Sequence, residues 1–138
     1  ADGPTDKLMH KLKLHNRVTF VKELTTKEIV QYYAEASIAV VPSLYEGFGL
    51  PAGEAMACGV PVITTKGVDI WPELEESGGA LIIEDDVESI ASSMRVLLDD
   101  SEKRSSMGAA ARAWVAATFS GDAVANRYID LYRKAINR

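Results

Sequence analysis

The chain of 138 residues has the length of one domain and is too short for two ordinary domains. Its composition, with 47% hydrophobic and 25% charged residues, matches an ordinary globular protein and excludes disorder, collagen and a coiled coil. The net charge of -5, without any basic block, argues against nucleic acid or an anionic membrane surface as a general partner.

The first part of the chain predicts helix, strand, helix and strand in turn. Apolar residues at near-helical spacing within 8–12 indicate the first helix, and the β-branched run Val18–Val21 predicts a strand. Thr25 and Glu28 have the spacing of a capping box, which places the start of the next helix. The continuous apolar run Ile38–Val41 is typical of a parallel strand that is covered on both faces.

The second part predicts a parallel α/β arrangement. A short helix is expected from Pro51 to Gly59, and Val60–Thr64 and Ala80–Ile83 are expected to be strands. Three amphipathic helices should follow, with apolar faces at Ile90, Met94, Leu97 and Leu98, at Met107, Ala110, Trp114 and Val115, and at Val124, Tyr128, Leu131 and Ala135. The predicted fold is a Rossmann-like parallel sheet with flanking helices, which binds ligands at the carboxyl ends of its strands.

The loop after the Ile38–Val41 strand carries the strongest chemical signal. Gly47 and Gly49 permit backbone conformations that are closed to bulkier residues, and they allow a ligand to approach the main chain. The N–H groups of the following helix favour phosphate. Glu46 and Glu54 lie on either side of this turn, and a carboxylate can accept hydrogen bonds from two vicinal hydroxyls. This combination suits a polyhydroxylated ligand attached to phosphate, such as a nucleotide sugar.

This segment resembles the retaining glycosyltransferases of the GT-B fold that carry a Glu-x7-Glu motif. Weaker similarity covers nearly the whole chain. The match is highly specific over three stretches, which are Glu46-Gly47-Phe48-Gly49-Leu50-Pro51, Glu54-Ala55-Met56-Ala57 and Gly59-Val60-Pro61-Val62-Ile63.

The resemblance assigns roles to individual residues. It implies that Glu46 is the catalytic residue and contacts hydroxyls of the donor sugar, and that Glu54 binds the ribose. The backbone amides around Phe48, Gly49 and Leu50 would approach the sugar and the phosphate, which makes Gly47 through Leu50 donor-binding. No metal and no cofactor are implied.

The resemblance also implies a function for the chain. Residues 1–138 would be part of the C-terminal domain of a hexosyltransferase-type enzyme that binds a nucleoside diphosphate sugar and transfers the sugar to a hydroxyl acceptor, with retention. The N-terminal acceptor domain would be absent, and so would the first strands of the C-terminal domain. The isolated chain is therefore expected to be inactive. The missing domain could mediate peripheral membrane association. An uncovered sheet edge leaves room for a homo-oligomer or for strand exchange between chains.

Three other interpretations of the motif stay open. The two glutamates could be solvated residues on a structural turn, or the pattern Gly47-x-Gly49-x-x-Ala52, with Asp69 about 20 residues on, could bind a dinucleotide. The context differs from that fingerprint, because Pro42 to Glu46 separate the strand from the first glycine and the following helix is short. The chain could also be a noncatalytic nucleotide-sugar-binding module or a rearranged structural fragment.

The remaining chemically notable residues receive structural interpretations. The single Cys58 excludes an intrachain disulfide and favours a reducing, cytoplasmic location, and it is expected to be buried and inert. His10 and His15 are expected at the surface, and Trp114 in the core. Trp71 could line a sugar pocket or cover the core. The acidic run Glu84-Asp85-Asp86 should complement the dipole of the following helix rather than bind a cation.

Overall fold

Three parallel strands form the sheet in the computed structural model, which describes residues 3–14 and 16–136. They are β1 (Ala39–Val41), β2 (Val62–Thr65) and β3 (Ala80–Ile83), and they lie in chain order with β2 in the middle. Val40 pairs with Ile63, and Ile63 pairs with Leu81. The predicted α/β fold with a parallel sheet and flanking helices is confirmed.

Helices connect and follow these strands. In chain order they are α1 (Pro4–Leu12), α2 (Thr26–Glu35), α3 (Leu50–Ala57), α4 (Trp71–Glu76), α5 (Val87–Asp99), α6 (Ser101–Phe119) and α7 (Gly121–Ile136). The predicted capping box is confirmed at α2, where the Thr25 hydroxyl accepts from the Glu28 N–H at 3.4 Å and Glu28 Oε2 accepts from the Thr25 N–H at 2.8 Å. A helix between the last two strands was expected, but no bounds were predicted for α4.

The core lies on both faces of β2, because successive side chains of a strand point to opposite faces. Val62 belongs to a cluster formed mainly by α3, α4 and α6, in which Met56 and Leu74 are fully buried. Its neighbour Ile63 belongs to a second cluster with Leu97 of α5 and Met107 of α6. Burial on both faces explains why β2 is a continuous apolar run.

The prediction of a strand at Val18–Val21 is wrong. These residues have no strand assignment, and Val18, Phe20 and Val21 are 38%, 55% and 41% exposed. Within the described residues the sheet consists of β1, β2 and β3 alone, so this segment has no neighbouring strand. A β-branched run without a partner cannot form ladder hydrogen bonds, and it therefore stays irregular.

The predicted bounds of two strands shift by one or two residues. The second begins at Val62 rather than Val60, because the Val60 N–H donates to the Ala55 carbonyl at 3.0 Å and Pro61 has no N–H to donate. It extends to Thr65, whereas β1 begins at Ala39 rather than Ile38. The strand Ala80–Ile83 has the predicted bounds.

The three C-terminal helices form as predicted, but α7 does not bury its apolar face. None of the described residues of α7 is buried, and Tyr128 and Leu131 are 57% and 60% exposed. By contrast, α5 buries Leu97 and α6 buries Met107, while Trp114 of α6 is half-buried against the core. No helix in the described part of the chain is both long enough and apolar enough to span a membrane.

Candidate functional site

The motif loop, residues 42–49, connects the carboxyl end of β1 to α3 and is held by a backbone bridge to the loop after β2. The Glu46 N–H donates to the Gly67 carbonyl at 2.8 Å, and the Asp69 N–H donates to the Glu46 carbonyl at 2.9 Å. Glu46 and Val68 thereby form an isolated parallel bridge. This bridge places the Glu46 backbone at the carboxyl edge of the sheet, where ligands of parallel α/β folds bind.

The carboxylate of Glu46 is oriented by Ser43. The Ser43 hydroxyl donates to Glu46 Oε2 at 2.8 Å, and the side chain of Glu46 is half-buried. Ser43 is itself held, because the Thr65 hydroxyl of β2 donates to its carbonyl. The sequence analysis missed Ser43, although a hydroxyl residue between a strand and a glutamate was a usable signal.

Gly49 is the N-cap of α3 and needs to be glycine. Its φ of 72° lies in the left-handed region, and a Cβ there would meet Val68 Cγ1 at 2.7 Å. Because glycine has no side chain to cap the helix, the first N–H groups of α3, at Leu50 and Ala52, have neither a side-chain cap nor an intrahelical acceptor. Pro51 contributes no N–H.

The expectation of a special backbone conformation is wrong at Gly47. Its φ is not positive, so the backbone there does not depend on glycine. A Cβ at this position would have nothing within 4 Å, so the surface beside Gly47 is open to a ligand. The close approach of a ligand to the main chain at Gly47 stays a prediction.

The ring of Phe48 packs against α6. It makes an edge-to-face contact with Phe119 at 5.2 Å between ring centroids, and Phe119 makes a similar contact with Trp114 at 5.3 Å. These rings, together with Ile70 and Arg127, line a cavity of about 390 Å³. The side chain of Phe48 thus joins the motif loop to α6, and the donor-binding role of its backbone amide stays a prediction.

Glu54 lies on the exposed surface of α3 and borders a groove between α2 and α3. The groove has a volume of about 190 Å³, and it is lined by Ile29 and Tyr33 of α2, by Glu54 of α3 and by the C-cap residue Cys58, among others. The Tyr33 hydroxyl lies 3.5 Å from Glu54 Oε2. The sequence analysis missed this contact, although a tyrosine at helical spacing from Ile29 in α2 was an available signal.

A second cavity, of about 270 Å³, lies at the carboxyl ends of all three strands. Ser43, Thr65 and Glu84 line it, together with Lys66, whose Nζ lies 3.5 Å from Glu84 Oε1. The Nζ of Lys66 also lies 5.7 Å from the ring centroid of Trp71. Trp71 is half-buried, and its ring makes a cation–π contact with Lys66. The motif residues are thus distributed over neighbouring clefts rather than gathered in one pocket.

Other candidates from the sequence have the expected or simpler roles. Asp86 caps α5 by accepting from the Ser89 N–H at 2.8 Å, as predicted for the acidic run. Among the described residues, no three His, Cys, Asp or Glu side chains converge to hold a metal ion. Cys58 is half-buried rather than buried, His10 is exposed, and His15 lies outside the described residues. The glycine pattern does not directly follow a strand, because residues 42–46 lie between β1 and Gly47.

The described geometry agrees with comparisons to known proteins. The chain is 34% identical over 140 aligned positions to the MMP alpha-(1->4)-mannosyltransferase of Mycolicibacterium hassiacum, covering 99% of this chain and 34% of that protein. It superposes on sucrose-phosphate synthase from Thermosynechococcus elongatus with a TM-score of 0.84 and 33% identity, over 96% of this chain and 34% of that one.

A third comparison is to the C-terminal domain of a glycosyl transferase group 1 family protein from Francisella tularensis. The TM-score is 0.75 at 28% identity, over 84% of this chain and 60% of that one. The chain spans about a third of the length of the curated relatives that it matches. The family model described as "Glycosyl transferases group 1" matches residues 3–114. The chain therefore belongs to the group 1 family of glycosyltransferases.

Proposed function

We propose that this chain binds the nucleoside diphosphate sugar of a retaining glycosyltransferase, and that the whole enzyme transfers the sugar to a hydroxyl acceptor. The observation that carries the proposal is the arrangement of Glu46 and Glu54 on either side of an α3 N-terminus that no side chain caps. Family membership supports sugar transfer, and similarity to the M. hassiacum mannosyltransferase supports a hexose as the transferred sugar.

Glu46 is the residue that we assign to the donor sugar. The hydrogen bond from Ser43 occupies Glu46 Oε2 on one side, and a carboxylate keeps several further acceptor sites for sugar hydroxyls. The backbone bridge to the loop after β2 holds the main chain of Glu46 against the sheet, and the Ser43 hydroxyl orients its carboxylate. A carboxylate in a fixed position can hold the hydroxyls of the donor sugar, so that the anomeric carbon keeps one orientation during the reaction.

The start of α3 is assigned to the diphosphate. The N–H groups of Leu50 and Ala52 project from a helix N-terminus, where the partial positive charge of the helix dipole attracts phosphate. Open space beside Gly47 lets phosphate or sugar oxygens approach the backbone of the turn. Glu54, one turn further along α3, then accepts hydrogen bonds from the ribose.

The reaction that we propose breaks the bond between the anomeric carbon and the diphosphate and forms one to the acceptor oxygen on the same face of the sugar. The diphosphate leaves as the nucleoside diphosphate, and the proton of the acceptor hydroxyl is released. The stated residues of this chain bind and orient the donor. A cytoplasmic location is part of the proposal, since a single cysteine suits a reducing compartment.

The test uses two variants and two kinds of ligand. Glu54→Gln should weaken bare nucleoside diphosphates and nucleotide sugars by similar factors, because both ligands carry the ribose. Glu46→Gln should weaken only the sugar conjugates. A hydrogen bond to a charged group is worth roughly 1.5 to 3 kcal/mol, so each affected Kd should rise about 10- to 100-fold. Calorimetry with uridine, guanosine and adenosine diphosphates and their hexose conjugates measures these affinities.

Glu75→Gln is the matched control, because Glu75 is an exposed carboxylate on α4. It should leave every affinity unchanged. If Glu46→Gln weakens both kinds of ligand equally, or if Glu54→Gln weakens neither, the assignment of the two carboxylates is wrong. If none of the diphosphates or conjugates binds the unaltered chain, donor binding itself is refuted.

A further inference from the structure

Tyr33 of α2 reaches across the groove to the part of α3 that carries Glu54. Its hydroxyl oxygen lies 3.2 Å from the Pro51 carbonyl oxygen and 3.5 Å from Glu54 Oε2. The ring packs against the main core cluster, so the side chain is anchored at its base and polar only at its tip. Both acceptors belong to the first two turns of α3, and Tyr33 therefore connects α2 to the proposed ribose-binding segment.

The chemistry of the Tyr33 hydroxyl makes it a hydrogen-bond donor to Glu54. The pKa of Tyr33 is raised above its ordinary value, first by burial of the hydroxyl and then by the negative charge of Glu54. The phenol therefore keeps its proton at neutral pH. It has a single proton, which it can donate either to the Pro51 carbonyl or to the carboxylate.

The consequence concerns the freedom of the Glu54 side chain. Glu54 is exposed on the helix surface, and a free glutamate there samples many rotamers. A hydrogen bond from a ring that is anchored in the core limits this sampling to positions near the groove. The carboxylate still has acceptor sites for two ligand hydroxyls, because each of its oxygens can accept more than one hydrogen bond.

We propose that Tyr33 is a positioning residue that holds the Glu54 carboxylate ready to accept hydrogen bonds from the ribose hydroxyls of the donor. The inference rests on the proposed function, since it presupposes that Glu54 contacts the ribose. It assigns to α2 a part in donor recognition that the motif segment alone does not contain.

The test removes the hydroxyl with Tyr33→Phe and varies the ribose of the ligand. Calorimetry compares uridine, guanosine and adenosine diphosphates with their 2′,3′-dideoxy counterparts. Tyr33→Phe should raise the Kd of the ribonucleotides about 3- to 10-fold, which is the range for a single neutral-donor hydrogen bond, and should leave the dideoxy ligands unchanged. In the Glu54→Gln background, Tyr33→Phe should have no further effect, because the two residues act as one unit.

Tyr32→Phe is the matched control, since Tyr32 is the exposed neighbour of Tyr33 on the same helix. It should change no affinity. A ligand-free measurement complements the calorimetry: in the NMR spectrum of tyrosine-labelled protein, Glu54→Gln should lower the pKa of Tyr33. Thermal unfolding of each variant reports whether the fold is intact.

The outcomes separate the inference from the proposed function. If Tyr33→Phe weakens ribose and dideoxyribose ligands equally, its role is structural and the inference is overturned. The inference also fails if Tyr33→Phe changes no affinity while Glu54→Gln does, or if the pKa of Tyr33 is the same in both proteins. If Glu54→Gln itself leaves ribonucleotide binding unchanged, the proposed function falls, and the inference falls with it.

Discussion

Gly67 lies where the two loops of the site approach each other closely. A Cβ added there would lie 2.1 Å from the Ser43 carbonyl oxygen and 2.6 Å from that of Leu44, and both are backbone atoms that cannot rotate away. The Gly67 carbonyl is also the acceptor of the Glu46 N–H. Glycine at this position thus permits the contact that holds Glu46 in place.

Replacement of Gly67 by alanine should therefore separate the two loops. We expect Gly67→Ala to lower the free energy of unfolding by about 1 to 3 kcal/mol, the usual cost of overpacking. Gly53→Ala is the matched control, because a Cβ at Gly53 of α3 meets nothing within 4 Å. It should raise stability by up to about 1 kcal/mol, since alanine favours a helix. Urea denaturation of both variants measures the difference, and equal stabilities would contradict the close approach.

At the scale of elements, the joint between α5 and α6 illustrates how short connections are stabilised. Asp100 is the single residue between the two helices, and its side chain accepts from the Lys103 N–H at 2.8 Å to cap α6. Arg104 donates to the carbonyls of Leu97 and Leu98, which lie at the end of α5. One N–H at the start of α6 and two carbonyls at the end of α5 thus have side-chain partners across this joint.

The other end of α5 leads to a pH-dependent prediction. Hydrogen bonds from the side chain and backbone of Ser89 lower the pKa of Asp86 below its ordinary value. A carboxyl group with a lowered folded-state pKa stabilises the fold above its unfolded-state pKa, near about 4, and loses that effect as the pH falls through the folded-state value. The Tm deficit of Asp86→Ala should therefore be constant at neutral pH and should shrink below about pH 4.

Thermal unfolding between acidic and neutral pH checks this prediction. Asp85→Ala serves as the control, because Asp85 is exposed beside the cap residue and is not the N-cap of α5. Asp85→Ala keeps the cap hydrogen bond and loses only a charge near the helix dipole, so at neutral pH its Tm should fall less than that of Asp86→Ala. A deficit of Asp86→Ala that persists unchanged to low pH would mean that the cap does not depend on the ionised carboxylate.

At the scale of the whole molecule, the candidate site is open. Leu44 and Tyr45 of the motif loop are 77% and 84% exposed, and Leu50 at the start of α3 is 64% exposed. The described residues form no wall opposite these side chains that would exclude water. Transfer rather than hydrolysis requires an acceptor held beside the anomeric carbon in a site that is closed to solvent.

The polypeptide of 138 residues should therefore transfer no sugar by itself, although we expect it to bind the donor. Nucleotide release from a panel of nucleoside diphosphate hexoses in the presence of hydroxyl acceptors measures the activity. The M. hassiacum mannosyltransferase, supplied with its own substrates, is the positive control for the assay. Turnover by the 138-residue chain that disappears in Glu46→Gln would contradict the prediction. It would show that the open site suffices for catalysis.

Much of the fold followed from local sequence patterns. Helix caps such as Thr25 and Asp86 act within three residues, and the apolar runs at β1, β2 and β3 are each four or five letters long. Such features depend on residues that are neighbours in the chain, so helix starts and strands can be predicted from them without knowledge of the tertiary packing. The glutamates and glycines of the motif were recognisable for the same reason, because their spacing is contained in one short segment.

Only the tertiary structure decided how distant segments meet. Val18–Val21 has the composition of a strand, yet it forms none because strand formation depends on a neighbour to pair with. The sequence predicted the apolar face of α7, but it did not predict that this face would stay exposed. The bridge between Glu46 and Val68 and the contact between Tyr33 and Glu54 join residues about 20 positions apart. Such contacts follow from how helices pack on a sheet, and that packing is a property of the whole core rather than of any single segment.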